Sequence, residues 1–440
     1  MIDYIMSCLS LLNRVSEIES SKDIIGRLHC QSSGVICPLH GVMLLNELFE
    51  DTATLIVGAP ECVYYPQVGT LIRLDNPTLS GIYTYVMDEN DVVFGSADGL
   101  KIAAQAVLED PEIAALFLVS SCVFELIGDD LRAISADIAN ALGKPVFPVH
   151  TSNYDHHCPD YFKAIERMLE AIAPVLSKQE TIPHSVNLLG RIFHGNAKGS
   201  LRQSELGAML EKNGVTINME FPSRVRLEHI KQLTAAELNI VTDRVGIRLA
   251  KIMQEKYGIP YVLFESTFSH QTIEETYLSI GRFLRVAWQD EVSRLSAHTK
   301  ERISEVSCIV EGETIIAGCL PPDPFQSVAF LSKLKMKPLV VASACLSRGS
   351  EEAIANLLKA GEDPYVIHAC EREPMEEALK TLRPRFYVGH APHEKVSALG
   401  IRHIGCFMAE PEHLGFRSID NFLLRLESAA MQTPAEKGCD

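Results

Sequence analysis

From about residue 50 onward, short apolar runs alternate with amphipathic stretches. Leu55-Ile56-Val57 and Ala115-Leu116-Phe117-Leu118-Val119 predict strands, and Val146 to Val149, just after Lys144-Pro145, predicts another. Helical segments separate them, which is the grammar of parallel βαβ units. A second series opens after the loop from Lys178 to His184. Its predicted strands are Val186 to Gly190, Val215 to Asn218, Leu238 to Val241 and Tyr261 to Phe264, with a helix over Leu201 to Asn213. A further helix ends at Gly258-Ile259-Pro260, where glycine suits the C-cap and proline prevents continuation. A charged helix around Trp288 to Glu305 introduces the third series. Its strands are expected at Thr314 to Ala317, Leu339 to Ala342, Tyr365 to His368 and Phe386 to Val388, punctuated by Pro321-Pro322-Asp323-Pro324 and Lys337-Pro338. No fixed-period repeat underlies the three series. They predict an α/β protein of three Rossmann-like domains with parallel sheets, over residues 1–180, 181–295 and 296–440.

Composition narrows the setting. A chain of 440 residues exceeds what one core can hold. With 47% apolar and 22% charged residues it reads as globular. A formal charge of −17 argues against nucleic-acid or anionic-membrane surfaces and favours a basic protein partner or no electrostatic partner. No apolar run reaches the roughly 18 residues of a membrane span. The start, Ile5 to Leu12, follows Asp3 without a basic leader or cleavage signature and does not read as a signal peptide. A cytoplasmic, reducing compartment is therefore expected, in which the twelve cysteines are not disulfides. The chain has no CxxC, which disfavours a zinc ribbon or a cluster packed in one loop. Any metal ligands must come from distant loops.

Three cysteines occupy suitable positions. Cys62 comes right after Leu55–Val57 and its turn Gly58-Ala59-Pro60, and Cys122 ends the strand before Gly128-Asp129-Asp130. Ligands of open α/β sheets collect beyond the carboxyl ends of strands. Cys37 precedes the apolar helix from Leu39 to Leu48, where amide groups favour a thiolate, the form that binds iron. Singly, each reads as a buried small hydrophobe. Together, at element ends in one domain, they read as a metal-binding set that lacks a fourth ligand.

Here the motifs carry a resemblance. "CPLHG" from Cys37, "LIVGAPECVYYP" ending at Pro66, "DVVFGSADGL" from Asp91 and "SSCVFELIGDDL" ending at Leu131 stand in one order. "VNLLG" at Val186, "EKYGIP" at Glu255 and "HLGFRS" at His413 continue it. From about residue 30 to residue 425 the chain resembles component 1 of nitrogenase and its relatives, among them the subunits of dark-operative protochlorophyllide reductase. The 25- and 60-residue spacings from Cys37 to Cys62 and from Cys62 to Cys122 suit that family. The resemblance implies that these three cysteines hold an iron–sulfur cluster, [4Fe-4S] or P-cluster-like, shared across a subunit interface. It implies as partners an ATP-hydrolysing iron protein and either a related component 1 subunit or a second copy. The absence of a GxxxxGK[ST] loop agrees with ATP chemistry lying in that partner. Within Asp155-His156-His157-Cys158, Cys158 and His157 are candidate extra ligands, because in the family this loop approaches the cluster.

In the nitrogenase α-subunit a cysteine and a histidine anchor the iron–molybdenum cofactor. The resemblance places those positions at Thr242 and near Gly405, beside His403 and Cys406. A hydroxyl is a poor substitute for a soft thiolate on iron. The implied molecule is a β-like subunit, or a relative acting on an organic substrate in the cleft between domains. Two other readings stand beside this oxidoreductase: a scaffold for assembly of a nitrogenase-type cofactor, and an α/β binding protein with no metal. Glu61, Tyr64 and Tyr65 flank Cys62; His390 and His393 follow a third-series strand; Cys319, Cys345 and Cys370 end or follow others. Packing or surface roles are expected for these.

Overall fold

The computed structural model describes residues 12–24, 37–46, 48–62, 64, 81–151, 161–191, 199–318, 323–369, 372–405 and 414–431. The chain divides into two compact units. One comprises Ser33–Arg202 with Gly207–Phe264, the other Met1–Ser32, Gln203–Leu206 and Glu265–Asp440.

The first unit carries two four-stranded parallel sheets. In the first, β1 (Thr52–Gly58), β2 (Ile82–Val86), β3 (Ala115–Ser120) and β4 (Val146–Val149) lie in the order β2-β1-β3-β4. Every residue of β1 and β3 is buried, as expected of central parallel strands covered by helices on both faces. Alternate side chains divide between two cores because successive Cβ atoms point to opposite faces. Leu55, Val57, Leu116 and Leu118 pack with Leu100 and Ala104 and with Ile134 and Ile138. Ile56, Phe117 and Val119 pack on the other side with Val42 and Met43 and with Ile165 and Met168. The helices concerned are α1 (Pro38–Asn46), α3 (Ala97–Leu108), α5 (Leu131–Leu142) and α6 (Tyr161–Ala171); α2 (Glu89–Phe94) and α4 (Cys122–Ile127) are short. Asp88 caps α2 by accepting from Asn90 N and Asp91 N, and Asp130 caps α5 from Arg132 N and Ala133 N. After α5 the Lys144 ammonium donates to three carbonyls, Leu108 O at 2.8 Å, Asp110 O at 3.0 Å and Ile113 O at 2.7 Å.

The second sheet holds β5 (Ser185–Leu189), β6 (Thr216–Phe221), β7 (Leu238–Val241) and β8 (Tyr261–Leu263) in the order β6-β5-β7-β8. The predicted helix from Leu201 resolves into a 3-10 turn, Leu201–Gln203, and α7 (Glu205–Lys212). The helix α8 (Ile247–Tyr257) ends, as predicted, at Gly258 with φ 75°. One core joins both sheets of this unit: Phe49 lies 5.3 Å from the Phe117 ring and 6.1 Å from that of Phe221.

The second unit is built on a five-stranded parallel sheet. Its strands are β9 (Thr314–Ala317), β10 (Lys337–Ser343), β11 (Tyr365–His368), β12 (Phe386–Gly389) and β13 (Arg402–Gly405), in the order β11-β10-β9-β12-β13. Among the described residues its helices are, in chain order, α9 (His270–Leu284), α10 (Gln289–Val310), α11 (Pro324–Lys333), α12 (Ser350–Lys359), α13 (Arg372–Leu382), α14 (His393–Ala398) and α15 (Phe416–Met431). Buried Glu205 secures the start of α15, accepting from Phe416 N and Arg417 N at 3.0 Å each and from Tyr277 Oη at 2.8 Å. Among the described residues no helix is long and apolar enough to cross a membrane.

Strand order fixes where ligands collect. Each sheet reverses its direction of growth once, between β1 and β3, between β5 and β7, and between β9 and β12. Crevices open at such switch points beyond the carboxyl ends of the strands.

Candidate metal centre

At the first switch point, β1 leads through Gly58 to Cys62, and β3 leads through Ser121 to Cys122, the first residue of α4. The two strand ends approach closely. Ser121 N donates to Val57 O at 2.9 Å, and a Cβ on Gly58 would stand 2.2 Å from Ser121 Oγ. Glycine is thus required at 58 by space. Ser121 is buried, and its hydroxyl has no hydrogen-bond partner among the described residues.

The chain brings all three predicted thiols into electrostatic contact, each half-buried. The Cys62 S–H donates to the Cys122 sulfur. That bond, aided by the backbone N–H groups of Cys122 and Val123 at the start of α4, draws Cys122 down to about 6, against the opposing pull of burial and of Glu125. The same bond, with burial, holds the Cys62 proton on and pushes its pKa up. Cys37 sits just before α1; burial raises its thiol, the Leu39 N–H counteracts, and the Cys122 charge adds to the rise. Cys37 and Cys62 also pack against the apolar core that covers β1 and β3.

Behind Cys122, Ser120 Oγ donates to Glu125 Oε1 at 2.5 Å, and His150 Nδ1 lies 3.8 Å from the same oxygen. Arg167 donates to His150 O. This polar set escaped the sequence reading; a buried-side serine ending a strand and a glutamate one turn into the following helix were its only signal. Glu61 and Tyr64 are exposed. Tyr65, His156, His157 and Cys158 lie outside the described residues. Among the described residues no three His, Cys, Asp or Glu side chains enclose a single metal ion. A polynuclear cluster makes a different demand, because each thiolate takes its own iron.

At the second switch point Thr242 is buried, and both its N–H and its hydroxyl donate to Leu189 O, at 2.7 and 3.1 Å. Gly190, with φ 102°, lets the turn after β5 pass the backbone of Asp243. Arg191 follows it; burial lowers its pKa and Asp243 opposes that shift. At the third sheet His393 and His403 meet, Nδ1 to Nδ1 at 3.3 Å; Cys345 is half-buried, while Cys319, Cys370 and Cys406 lie outside the described residues.

A family profile described as nitrogenase component 1 type oxidoreductase matches residues 37–426, from Cys37 into α15. The chain belongs to that family. Among curated relatives, the nitrogenase molybdenum-iron protein alpha chain of Methanothermococcus thermolithotrophicus is 25% identical over 85% of this chain and 81% of its own length. The nitrogenase iron-molybdenum cofactor biosynthesis protein NifE of Nostoc sp. is 29% identical over 51% of this chain. The chain spans about half the length of that relative, 47%. A solved structure described as nitrogenase Cp1 at pH 6.5 superposes with a TM-score of 0.74 at 14% identity, covering 95% of this chain and 97% of the other. At that identity the likeness concerns the fold, and it bears out the nitrogenase component 1-like α/β architecture of three parallel sheets expected from the sequence.

Proposed function

We propose that this member of the nitrogenase component 1 family is one subunit of a two-component, ATP-dependent reductase. It holds its share of an interface iron–sulfur cluster through Cys37, Cys62 and Cys122. The observation that supports this reading is the sulfur-to-sulfur hydrogen bond between Cys62 and Cys122, with Cys37 in their field, at the switch point of the first sheet. The donor set fits such a group: three soft ligands from three separate element ends, with Cys122 at the start of a helix whose amides favour the thiolate. A fourth ligand is left to a second chain or to His157 or Cys158. When bound, the cluster supplies a one-electron carrier. The chain's own residues hold it: helix-start amides favour the thiolates, and the apolar core behind Cys37 and Cys62 limits water on one side.

The partners in this reading are an iron protein and a related subunit or second copy. Exposed apolar side chains support a docked surface there. Eight of the fourteen large exposed hydrophobics among the described residues fall between Tyr64 and Leu126, including Val93 at 69%, Phe94 at 83% and Leu126 at 72% exposure. Leu126 lies in the helix that Cys122 begins. An exposed apolar side chain one turn from a ligand thiol, as Leu126 is from Cys122, is a place where a partner would bury surface.

Iron and sulfide analysis of anaerobically purified protein tests the reading. Coloured protein is expected, with iron lost in Cys62→Ala and Cys122→Ala. Colourless wild type after reconstitution would point instead to a metal-free binding protein. A second reading, a scaffold for assembling a metal cofactor, is supported by the likeness to the cofactor biosynthesis protein NifE of Nostoc sp.. Turnover of a reducible substrate with iron protein, ATP and reductant separates the two.

A further inference from the structure

In the second unit, two histidines from different elements face each other through matching ring nitrogens. His393 opens α14 and His403 lies in β13, with Nδ1 to Nδ1 3.3 Å apart. Their other nitrogens are engaged. His403 Nε2 lies 2.9 Å from Gly389 O, and His393 Nε2 lies 3.2 Å from Ser397 Oγ. A carbonyl only accepts, so His403 Nε2 carries the proton and its Nδ1 presents a lone pair. The ring is held there by Tyr387, stacked at 5.4 Å and 26°.

We propose that His393 and His403 form a binding site for one divalent transition-metal ion of the zinc and cobalt type, coordinated through both Nδ1 atoms. Two nitrogens each 2.0–2.1 Å from a tetrahedral zinc stand about 3.3 Å apart, and these stand 3.3 Å apart without rearrangement. A ligating histidine characteristically donates its second N–H to a carbonyl or similar acceptor, and both rings have such a neighbour in Gly389 O and Ser397 Oγ. Without metal, one proton is shared, His393 Nδ1–H donating to His403 Nδ1. On binding, that proton moves to His393 Nε2 and is donated to Ser397 Oγ, so two neutral imidazoles coordinate and no net proton leaves. Imidazole selects zinc, cobalt or nickel over magnesium and calcium. Water completes the coordination.

The site uses no thiol, so its test stands apart from the cluster. Full-length protein is titrated with Co2+ and with Zn2+, comparing wild type with His393→Ala and His403→Ala. The exposed His393 position tolerates replacement, which guards against misfolding of the half-buried His403 variant. Wild type is expected to take up one more ion than either variant, with a visible cobalt band that lacks sulfur charge transfer and disappears in both. Ser397→Ala is expected to weaken that ion about tenfold. Equal stoichiometry and identical cobalt spectra in wild type and His393→Ala would overturn the proposal.

Discussion

Gly58 lets the strand end that leads to Cys62 pack against Ser121, the residue before Cys122. With a methyl group at 58, Ser121 must yield, since the added carbon would fall 2.2 Å from its Oγ and 2.6 Å from its Cβ, while Cys62 Cβ at 3.5 Å would be in ordinary contact. Gly58→Ala is expected to destabilise the fold by about 1–3 kcal/mol and to lower iron content, read by denaturant unfolding and metal analysis. Glu205 is the other residue on which much depends. Burial raises its pKa above the ordinary 4.5, while the Phe416 N–H, the Tyr277 hydroxyl and the Arg417 N–H pull it back. A carboxyl raised on folding contributes stability that is full below the unfolded value near 4.5 and is lost as pH rises through the folded one. Glu205→Gln should therefore flatten the dependence of the urea midpoint on pH above 4.5. Glu205→Ala, leaving Tyr277 and two amides without an acceptor, should cost on the order of 2–3 kcal/mol. The thiols were legible in the sequence because cysteine after a strand is chemically conspicuous. Gly58, Ser121 and Glu205 were not, because their roles arise from neighbours far along the chain.

Strands with continuous apolar runs announced themselves, and two polar edge strands did not. Leu55–Val57 and Ala115–Val119 are continuous apolar runs and became the two central strands of the first sheet. The edge strand β2, Ile-Tyr-Thr-Tyr-Val, has three exposed residues, and β13, Arg-His-Ile-Gly, has a single buried residue. Both lacked the apolar signal and both were missed, since an edge strand is held by ladder hydrogen bonds on one side and needs little burial. The loop between α3 and β3 depends on a long-range device instead. Lys144→Met removes a cation shared by three carbonyls and is expected to cost about 1–2 kcal/mol, measured as a shift in the urea midpoint without a change in slope.

For the whole molecule, the exposed Phe94 separates docking from cluster binding. Phe94→Glu is expected to leave iron content intact while abolishing turnover with the iron protein; unchanged turnover would remove that face from the proposed interface. Every pairing between the named strands of the three sheets is parallel among the described residues. That has a consequence for how the protein matures. Parallel neighbours cannot be joined by a hairpin, so each ladder closes only after an intervening crossover has formed, and such topologies assemble slowly. Cys62 and Cys122 meet only once β1 has paired with β3. A cluster held by these thiols, as proposed, would therefore reach an already folded chain, unlike small metal domains that fold around their ion. Cells starved of iron should accumulate soluble, folded, colourless protein, ready to be loaded, rather than degrading it.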